Sequence, residues 1–141
     1  MFKVVIAGSR DYTDYDTVKK YADIVLKNVA DEIEIVSGCC RGVDMLGEKY
    51  AKERGYSIKY FPADWNRYKR AAGQIRNEAM AKYADALIAY WDGESTGTKG
   101  MIEYARQNHC KIIVVNYTTG KVLKWLSPTD EDSKQKYQNK R

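Results

Sequence analysis

The fold follows from residues 3–10, which read KVVIAGSR. Residues 3–7 form a short, mostly apolar run, and the run stops at Gly8-Ser9-Arg10. A short apolar run that ends in a turn predicts a strand buried inside a sheet. The same run is too short for the core of a signal peptide, so we expect a cytoplasmic protein.

Further segments along the chain have the same strand-like character. They are short, rich in apolar residues, and bounded by glycine, proline or charged residues. Their residues do not alternate between apolar and polar, which is typical of parallel strands covered on both faces. The predicted strands are 34–36, 57–61, 86–91 and 111–115, with 120–126 as a further edge strand.

Helical patterns separate these strands. In Thr13-Asp14-Tyr15-Asp16 an acid stands three residues after a threonine, the spacing of a capping box, and apolar residues then recur at helical spacing. Later helices are predicted after the second strand, over about 71–83, and before the fifth strand. This alternation predicts an α/β fold: a Rossmann-like three-layer α/β/α sandwich with a mostly parallel sheet of about five strands plus the edge strand.

The composition fits one soluble domain. Of the 141 residues, 44% are apolar and 30% are charged, and no apolar run is long enough to cross a membrane. Residues 1–127 are predicted to form the domain, and residues 128–141 a polar, basic and disordered tail. Three cysteines and a single histidine lack the spacing of a metal site, so we expect no metal and no cofactor. The oligomeric state is left open, a homo-oligomer included.

Polar loops that contain glycine follow the first, second and fourth strands. Ligands of such sheets bind beyond the carboxyl ends of the strands, where the strand order reverses, so these loops should converge on one site. One face of the helix over 71–83 should adjoin them. The predicted ligand-binding residues are Gly8, Ser9, Arg10, Ser37, Gly38, Gly42, Asp44, Arg76, Asn77, Gly97 and Thr98.

These residue types favour an anionic ligand that carries a sugar. Glycines at a helix N-terminus expose backbone N–H groups to phosphate, and Arg10 adds a planar cation. A partly buried Arg76 requires an anion, either an internal carboxylate or a ligand phosphate. Asp44 either caps nearby N–H groups or accepts a sugar hydroxyl. The loops match neither the GxGxxG fingerprint nor the P-loop pattern.

The chain contains six short motifs of small and polar residues. They are Gly8-Ser9-Arg10, Ser37-Gly38 with Gly42 and Asp44, Pro62-Ala63-Asp64-Trp65, Gly73 with Arg76-Asn77 and Met80, Ala84-Asp85, and Gly97-Thr98. Together they resemble the SLOG superfamily, and most closely its YspA-type, cpYpsA-related members, over about residues 2–116. The resemblance implies a Rossmann-like fold that binds nucleotides or nucleotide-derived ligands, including ADP-ribose-like signals. Sensing or sequestering such a small molecule is the favoured function.

The resemblance also implies a hydrolase as an alternative. LOG enzymes of this superfamily cleave the N-glycosidic bond of a nucleoside monophosphate, and their arginine is matched here by Arg76. Their glutamate is replaced by Met101, so hydrolysis would depend on another carboxylate. The candidate catalytic residues are therefore Arg76, Glu94 and Glu103.

A further alternative is binding of single-stranded nucleic acid. DprA-like proteins of the superfamily bind single-stranded DNA, and the segment from Arg76 to Thr98 is similar to their core motif. Such a groove combines basic side chains with aromatic ones on which bases stack. The chain has a net charge of +5, and residues 65–70 interleave Trp65 and Tyr68 with basic residues. Trp91, at the end of the fourth strand, is another candidate for stacking.

Overall fold

The structure, a computed structural model, describes residues 1–125. The predicted tail at 128–141 and the last residue of the predicted edge strand, Leu126, lie outside the described residues. None of the helices in residues 1–125 is both long enough and apolar enough to cross a bilayer. The elements, in chain order, are β1 (Phe2–Gly8), α1 (Tyr15–Leu26), β2 (Ile33–Ser37), α2 (Val43–Arg54), β3 (Ser57–Tyr60), α3 (Trp65–Tyr68), a 3-10 turn (Lys69–Ala71), α4 (Ala72–Tyr83), β4 (Ala86–Trp91), α5 (Thr96–Gln107), β5 (Lys111–Asn116) and β6 (Lys121–Trp125).

The strands form one sheet in the order β3-β2-β1-β4-β5-β6. All neighbouring pairs are parallel except β5 with β6, which pair antiparallel. The predicted Rossmann-like α/β sandwich and its edge strand are therefore confirmed. The strand order reverses between β1 and β4, so the carboxyl ends of these two strands flank the crevice in which such folds bind ligands.

Two apolar cores cover the two faces of the sheet. Val4 and Ile6 of β1 belong to the core under α1 and α2, whereas Val5 and Ala7 belong to the core under α4 and α5. Successive side chains of a strand point to opposite faces, so the four consecutive apolar residues at positions 4–7 of β1 supply both cores. This double coverage is why the central strands β1 and β4 contain unbroken apolar runs.

The structure corrects two local predictions. Asp14, not Thr13, caps α1: its Oδ1 accepts the N–H of Thr17 at 3.1 Å and its Oδ2 accepts the Thr17 hydroxyl at 2.7 Å. A carboxylate that accepts both donors of one residue satisfies the helix end better than the preceding threonine could. The second correction concerns the start of α5. The sequence predicts a loop up to Thr98, but the helix begins at Thr96, so Gly97 and Thr98 lie in its first turn.

Candidate ligand-binding site

A cavity of about 520 Å³ lies at the carboxyl ends of β1 and β4. The loops after β1, β2 and β4 and one side of α4 meet there, as the parallel sheet predicts. Two helices, α2 and α5, begin beside it. Eight of the eleven predicted residues line the cavity: Gly8, Ser9, Arg10, Asp44, Arg76, Asn77, Gly97 and Thr98.

The other three predicted residues pack behind the cavity wall. The Ser37 hydroxyl donates to Glu48 Oε2 at 2.6 Å, which directs it toward α2. A side chain at Gly38 would begin 2.8 Å from Asp44 Oδ2 and 2.9 Å from Arg76 Nη1. Gly42 has a φ of +79°, and a Cβ there would collide with the backbone of Ser9 and Arg10. These residues shape the loop and do not reach the cavity surface.

Arg76 lies buried on α4 and joins three parts of the site. Its Nε donates to Asn77 Oδ1 at 2.9 Å, its Nη1 donates to the Gly38 carbonyl, and its Nη2 lies 3.6 Å from Cys40 Sγ. Within residues 1–125 it forms no salt bridge with a carboxylate. The internal salt bridge weighed for Arg76 is therefore not formed, and neutral acceptors hold the guanidinium. Its positive charge remains to act on the cavity.

Asn77 connects this guanidinium to the third loop. Its Oδ1 accepts from Arg76 Nε, and its Nδ2 donates to the Gly97 carbonyl at 3.4 Å. The side chain is 7% exposed, so both ends of the amide are used inside the protein. Asn77 therefore connects α4 to the first turn of α5 within the cavity wall.

Asp44 brings a buried carboxylate to the cavity from the first turn of α2. The residue is 6% exposed, and its Oδ2 accepts the N–H of Cys40 at 3.1 Å. Burial raises the pKa of this carboxyl to about 6, while the Cys40 N–H and the nearby guanidinium groups of Arg76 and Arg10 oppose the rise. Near neutral pH the cavity therefore holds a carboxylate whose charge is easily removed.

Ser9 contributes a hydroxyl that no group in residues 1–125 satisfies. The residue is 8% exposed, and its Oγ is buried without a hydrogen-bond partner in residues 1–125. Its backbone is fully engaged, because the carbonyl accepts the N–H of Val43 at 3.3 Å and the N–H donates to the Tyr90 carbonyl at 3.2 Å. A buried polar group without a partner is rare, and here it lines a cavity.

The N-terminus of α5 is also open. Its N-cap residue, Ser95, makes no side-chain capping hydrogen bond, and the first helical bond runs from the Lys99 N–H to the Ser95 carbonyl at 3.1 Å. No acceptor in residues 1–125 bonds the N–H groups of Thr96, Gly97 and Thr98. These donors and the helix dipole together suit an anion.

Asp92 and Trp91 hold the loop that leads into α5. Asp92 Oδ1 accepts the N–H groups of Glu94 at 2.9 Å and Ser95 at 2.8 Å, and these bonds lower the pKa of the carboxyl. Trp91 Nε1 donates to the Ser95 carbonyl at 3.0 Å. Trp91 lines a separate groove beside β6 rather than the cavity, so it is not placed to stack on a ligand there.

The two glutamates proposed for hydrolysis also lie outside the cavity. Glu94 lines the groove that contains Trp91, and Glu103 lies 3.2 Å from Arg106 on α5. The sequence placed both near the third loop, but Asp92 turns that loop so that Glu94 points to its far side. The carboxylates that line the cavity within residues 1–125 are Asp11, Asp44 and Asp92. Of these, Asp11 and Asp92 were not predicted, although Asp92 directly follows a strand.

Trp65 and Arg70 complete the cavity rim. Trp65 is 50% exposed and lies beside α4, where a Cβ on Gly73 would stand 3.6 Å from its ring. A side chain beginning at Gly73 would therefore be in ordinary van der Waals contact with this indole. Gln74 and Cys40 also line the cavity, and neither was predicted. Their positions depend on how α4 lies against the loop after β2. This tertiary arrangement cannot be predicted from a local sequence pattern.

Comparison with known proteins agrees with this architecture. Residues 2–68 match the model of the YspA, cpYpsA-related SLOG family, a segment that contains the loops after β1 and β2. The chain is similar to the Gene 61 protein of Mycobacterium phage D29, with 29% identity over 123 residues that cover 83% of this chain and 97% of that protein. No solved structure matches the chain significantly. On the match over residues 2–68, this part of the chain is similar to the YspA-type, cpYpsA-related SLOG family.

Proposed function

We propose that this protein binds a nucleotide or nucleotide-derived ligand in the cavity between the ends of β1 and β4. The similarity of residues 2–68 to the SLOG family suggests a nucleotide-related function. The ligand phosphate would lie against the N-terminus of α5 and accept the Ser9 hydroxyl. Arg10 and Arg76 would supply the countercharge.

The observation that carries this proposal is the unsatisfied Ser9 hydroxyl, from a residue that lines the same cavity as the open end of α5. Both are hydrogen-bond donors that find no acceptor in residues 1–125, and both line one cavity at the switch point of the sheet. A bound phosphate would satisfy them together. The lining contains four arginines and three aspartates, so it also carries excess positive charge when all are ionised.

The size and rim of the cavity fit a nucleotide. Its volume of about 520 Å³ is within the range of small-molecule sites. Trp65 exposes half of its surface at the rim, and an indole face can stack on a base. A ligand with an anionic end and a planar aromatic end would contact both α5 and Trp65.

The direct test is thermal unfolding of the pure protein with nucleotides, ADP-ribose, cyclic nucleotides and short single-stranded DNA at fixed low salt. A ligand of the folded state at 100 times its Kd adds about 2.7 kcal/mol to the free energy of unfolding. Arg10→Ala should reduce the stabilisation by the phosphate-containing ligand far more than that by the matching nucleoside. Equal loss with both would contradict the proposed phosphate position.

Arg67→Ala is the matched control for Arg10→Ala. Arg67 is exposed on α3 and does not line the cavity. Its removal changes the net charge by the same amount, so an unchanged shift in this variant assigns the effect to the cavity. If no small molecule in the panel stabilises the protein, the proposed function fails.

Single-stranded nucleic acid is a second candidate because Trp65 and Arg70 line the cavity mouth on the same side as Arg67 and Tyr68. Stacking on exposed aromatics next to arginines is how many proteins hold single strands. Binding of this kind would lose affinity steeply with salt, and Arg67→Ala would then weaken it. Binding of an oligonucleotide without any small-molecule ligand would favour this candidate.

A further inference from the structure

Asp44 has one carboxylate oxygen that accepts no hydrogen bond from the part of the chain that the structure describes. Oδ2 accepts the Cys40 N–H, whereas Oδ1 accepts no hydrogen bond within residues 1–125. Oδ1 is also absent from the atoms that are buried without a partner, so solvent reaches it. Because Asp44 lines the cavity, that atom is open to a ligand inside it.

The surroundings of Asp44 favour a neutral hydroxyl as the partner of Oδ1. A Cβ on Gly38 would lie 2.8 Å from Asp44 Oδ2 and 2.9 Å from Arg76 Nη1, so the carboxylate and the guanidinium are near each other at this glycine. They form no direct ion pair. A phosphate close to Asp44 would be repelled by it, while a hydroxyl could donate to Oδ1 with Arg76 nearby to balance the charge.

We propose that Asp44 accepts a hydrogen bond from a ribose hydroxyl, so that the cavity selects ribonucleotides over analogues that lack that hydroxyl. This inference rests on the proposed function and names its substrate class. With phosphate at α5 and the base at Trp65, the sugar would lie between them in the cavity that Asp44 also lines. The DNA-binding candidate predicts no such preference for ribose.

Asp44→Asn separates this role from simple capping of the loop. The asparagine Oδ1 can still accept the Cys40 N–H, which keeps the local structure. Its other atom becomes an N–H donor, which cannot accept a ribose hydroxyl. Glu48→Gln is the matched control, because Glu48 is a buried carboxylate one turn further along α2, bonded to Ser37 and outside the cavity.

The experiment is calorimetric titration of AMP, GMP, CMP and UMP, each against its 2′-deoxy and 3′-deoxy analogue, at pH 7.5. For the wild type and Glu48→Gln, we expect one deoxy analogue to bind about tenfold to a hundredfold more weakly than the ribonucleotide, as for a lost hydrogen bond to a charged acceptor. Asp44→Asn should bring the two affinities within about threefold.

The outcomes distinguish a failure of the ribose inference from a failure of the proposed function. Equal affinity of ribonucleotide and both deoxy analogues for the wild type overturns the inference and leaves the proposed function intact. A ribose preference that persists in Asp44→Asn also overturns it. If none of the monophosphates binds and ADP-ribose does not bind either, the proposed function itself fails.

A second measurement covers the case in which Asp44→Asn does not fold. The ratio of ribonucleotide to deoxynucleotide affinity for the wild type should fall as the pH drops from 8 to 5, because protonation removes the acceptor charge of Asp44. The ionisable groups that face Asp44 are Arg76 on α4, Arg10 after β1 and Glu48 on α2. Phosphate ionisation is common to both ligands and cancels in the ratio. A ratio that does not change with pH would contradict the inference.

Discussion

The N-termini of α2 and α5 follow similar glycine-containing loops, but within residues 1–125 the first N–H group of the helix finds an acceptor only at α2. At α2, the Ser9 carbonyl accepts the N–H of Val43, and Asp44 accepts the N–H of Cys40 in the loop before the helix. At α5, no acceptor in residues 1–125 reaches the first N–H groups. The two helix ends lie at the same cavity, but α2 presents a carboxylate to it and α5 presents donors.

The glycines differ in the same way. Gly42 is required by its own backbone, with a positive φ and a Cβ position blocked by Ser9 and Arg10. A Cβ on Gly97 would meet nothing within 4 Å. A glycine in a loop therefore serves packing at α2, whereas at α5 it leaves space in the cavity. A glycine-rich loop before a helix is therefore not by itself an anion site.

The largest expected effect is on stability, from Gly42→Ala. A methyl group there adds the cost of a positive φ to a collision with fixed backbone, so we expect a loss of about 3 kcal/mol or more in unfolding free energy. Gly55→Ala is the control, because Gly55 has a φ of +74° but no atom within 4 Å of its Cβ position. It should lose only about 1 kcal/mol. Denaturant unfolding of both variants measures the difference, and equal losses would show that Gly42 is held by φ alone.

The next effect concerns the carboxylate at α2. Burial raises the pKa of Asp44 from 3.8 to about 6, so the folded state favours the neutral acid. Above pH 6 the ionised carboxylate therefore lowers the free energy of unfolding. Asp44→Asn should therefore stabilise the protein at pH 8 by up to about 3 kcal/mol. The gain should shrink as the pH falls through 6, be small at pH 4, and vanish only below the unfolded pKa of 3.8, where the acid is neutral in both the folded and unfolded states. Chemical denaturation at pH 8, 6 and 4 checks this, and a gain independent of pH would refute the cause given.

A third prediction concerns the open end of α5. Gly97→Leu should place a side chain into free cavity space, so it should lower ligand affinity about tenfold or more with little change in unfolding temperature. Thr96→Leu is the control, because Thr96 lies in the same helical turn but lines the groove that contains Trp91. Calorimetry with a ligand identified by thermal unfolding measures both. Unchanged affinity in Gly97→Leu would mean that the ligand does not reach α5.

Much of the fold could be predicted because it depends on local patterns. Unbroken apolar runs identify buried parallel strands, and their alternation with helices leaves few topologies. The position of the site followed from the same reasoning, since the loops after β1, β2 and β4 do meet. This is why most of the predicted residues line one cavity.

The orientation of single side chains could not be predicted in this way. Glu94 was placed in the site because it stands in the right loop, but the two hydrogen bonds to Asp92 turn the loop and send Glu94 to the far groove. Ser37 was chosen because it ends a strand, but its partner is Glu48, eleven residues later. Contacts of this kind depend on tertiary geometry, which spacing alone does not encode.

Ser9→Ala is expected to have the smallest effect on stability. It is also the most specific test of how the two helix ends differ. The Ser9 carbonyl, which accepts the first N–H group of α2, is unaffected by the substitution. The Oγ that is lost has no partner in residues 1–125. Removing a buried hydroxyl without a partner should leave the unfolding free energy within about 1 kcal/mol of the wild type, or raise it. Affinity for the phosphate-containing ligand should nevertheless fall about threefold to tenfold, the value of one hydrogen bond. A variant that is destabilised without losing affinity would show that the hydroxyl serves the fold, because a ligand-directed donor costs the free protein nothing when it is removed.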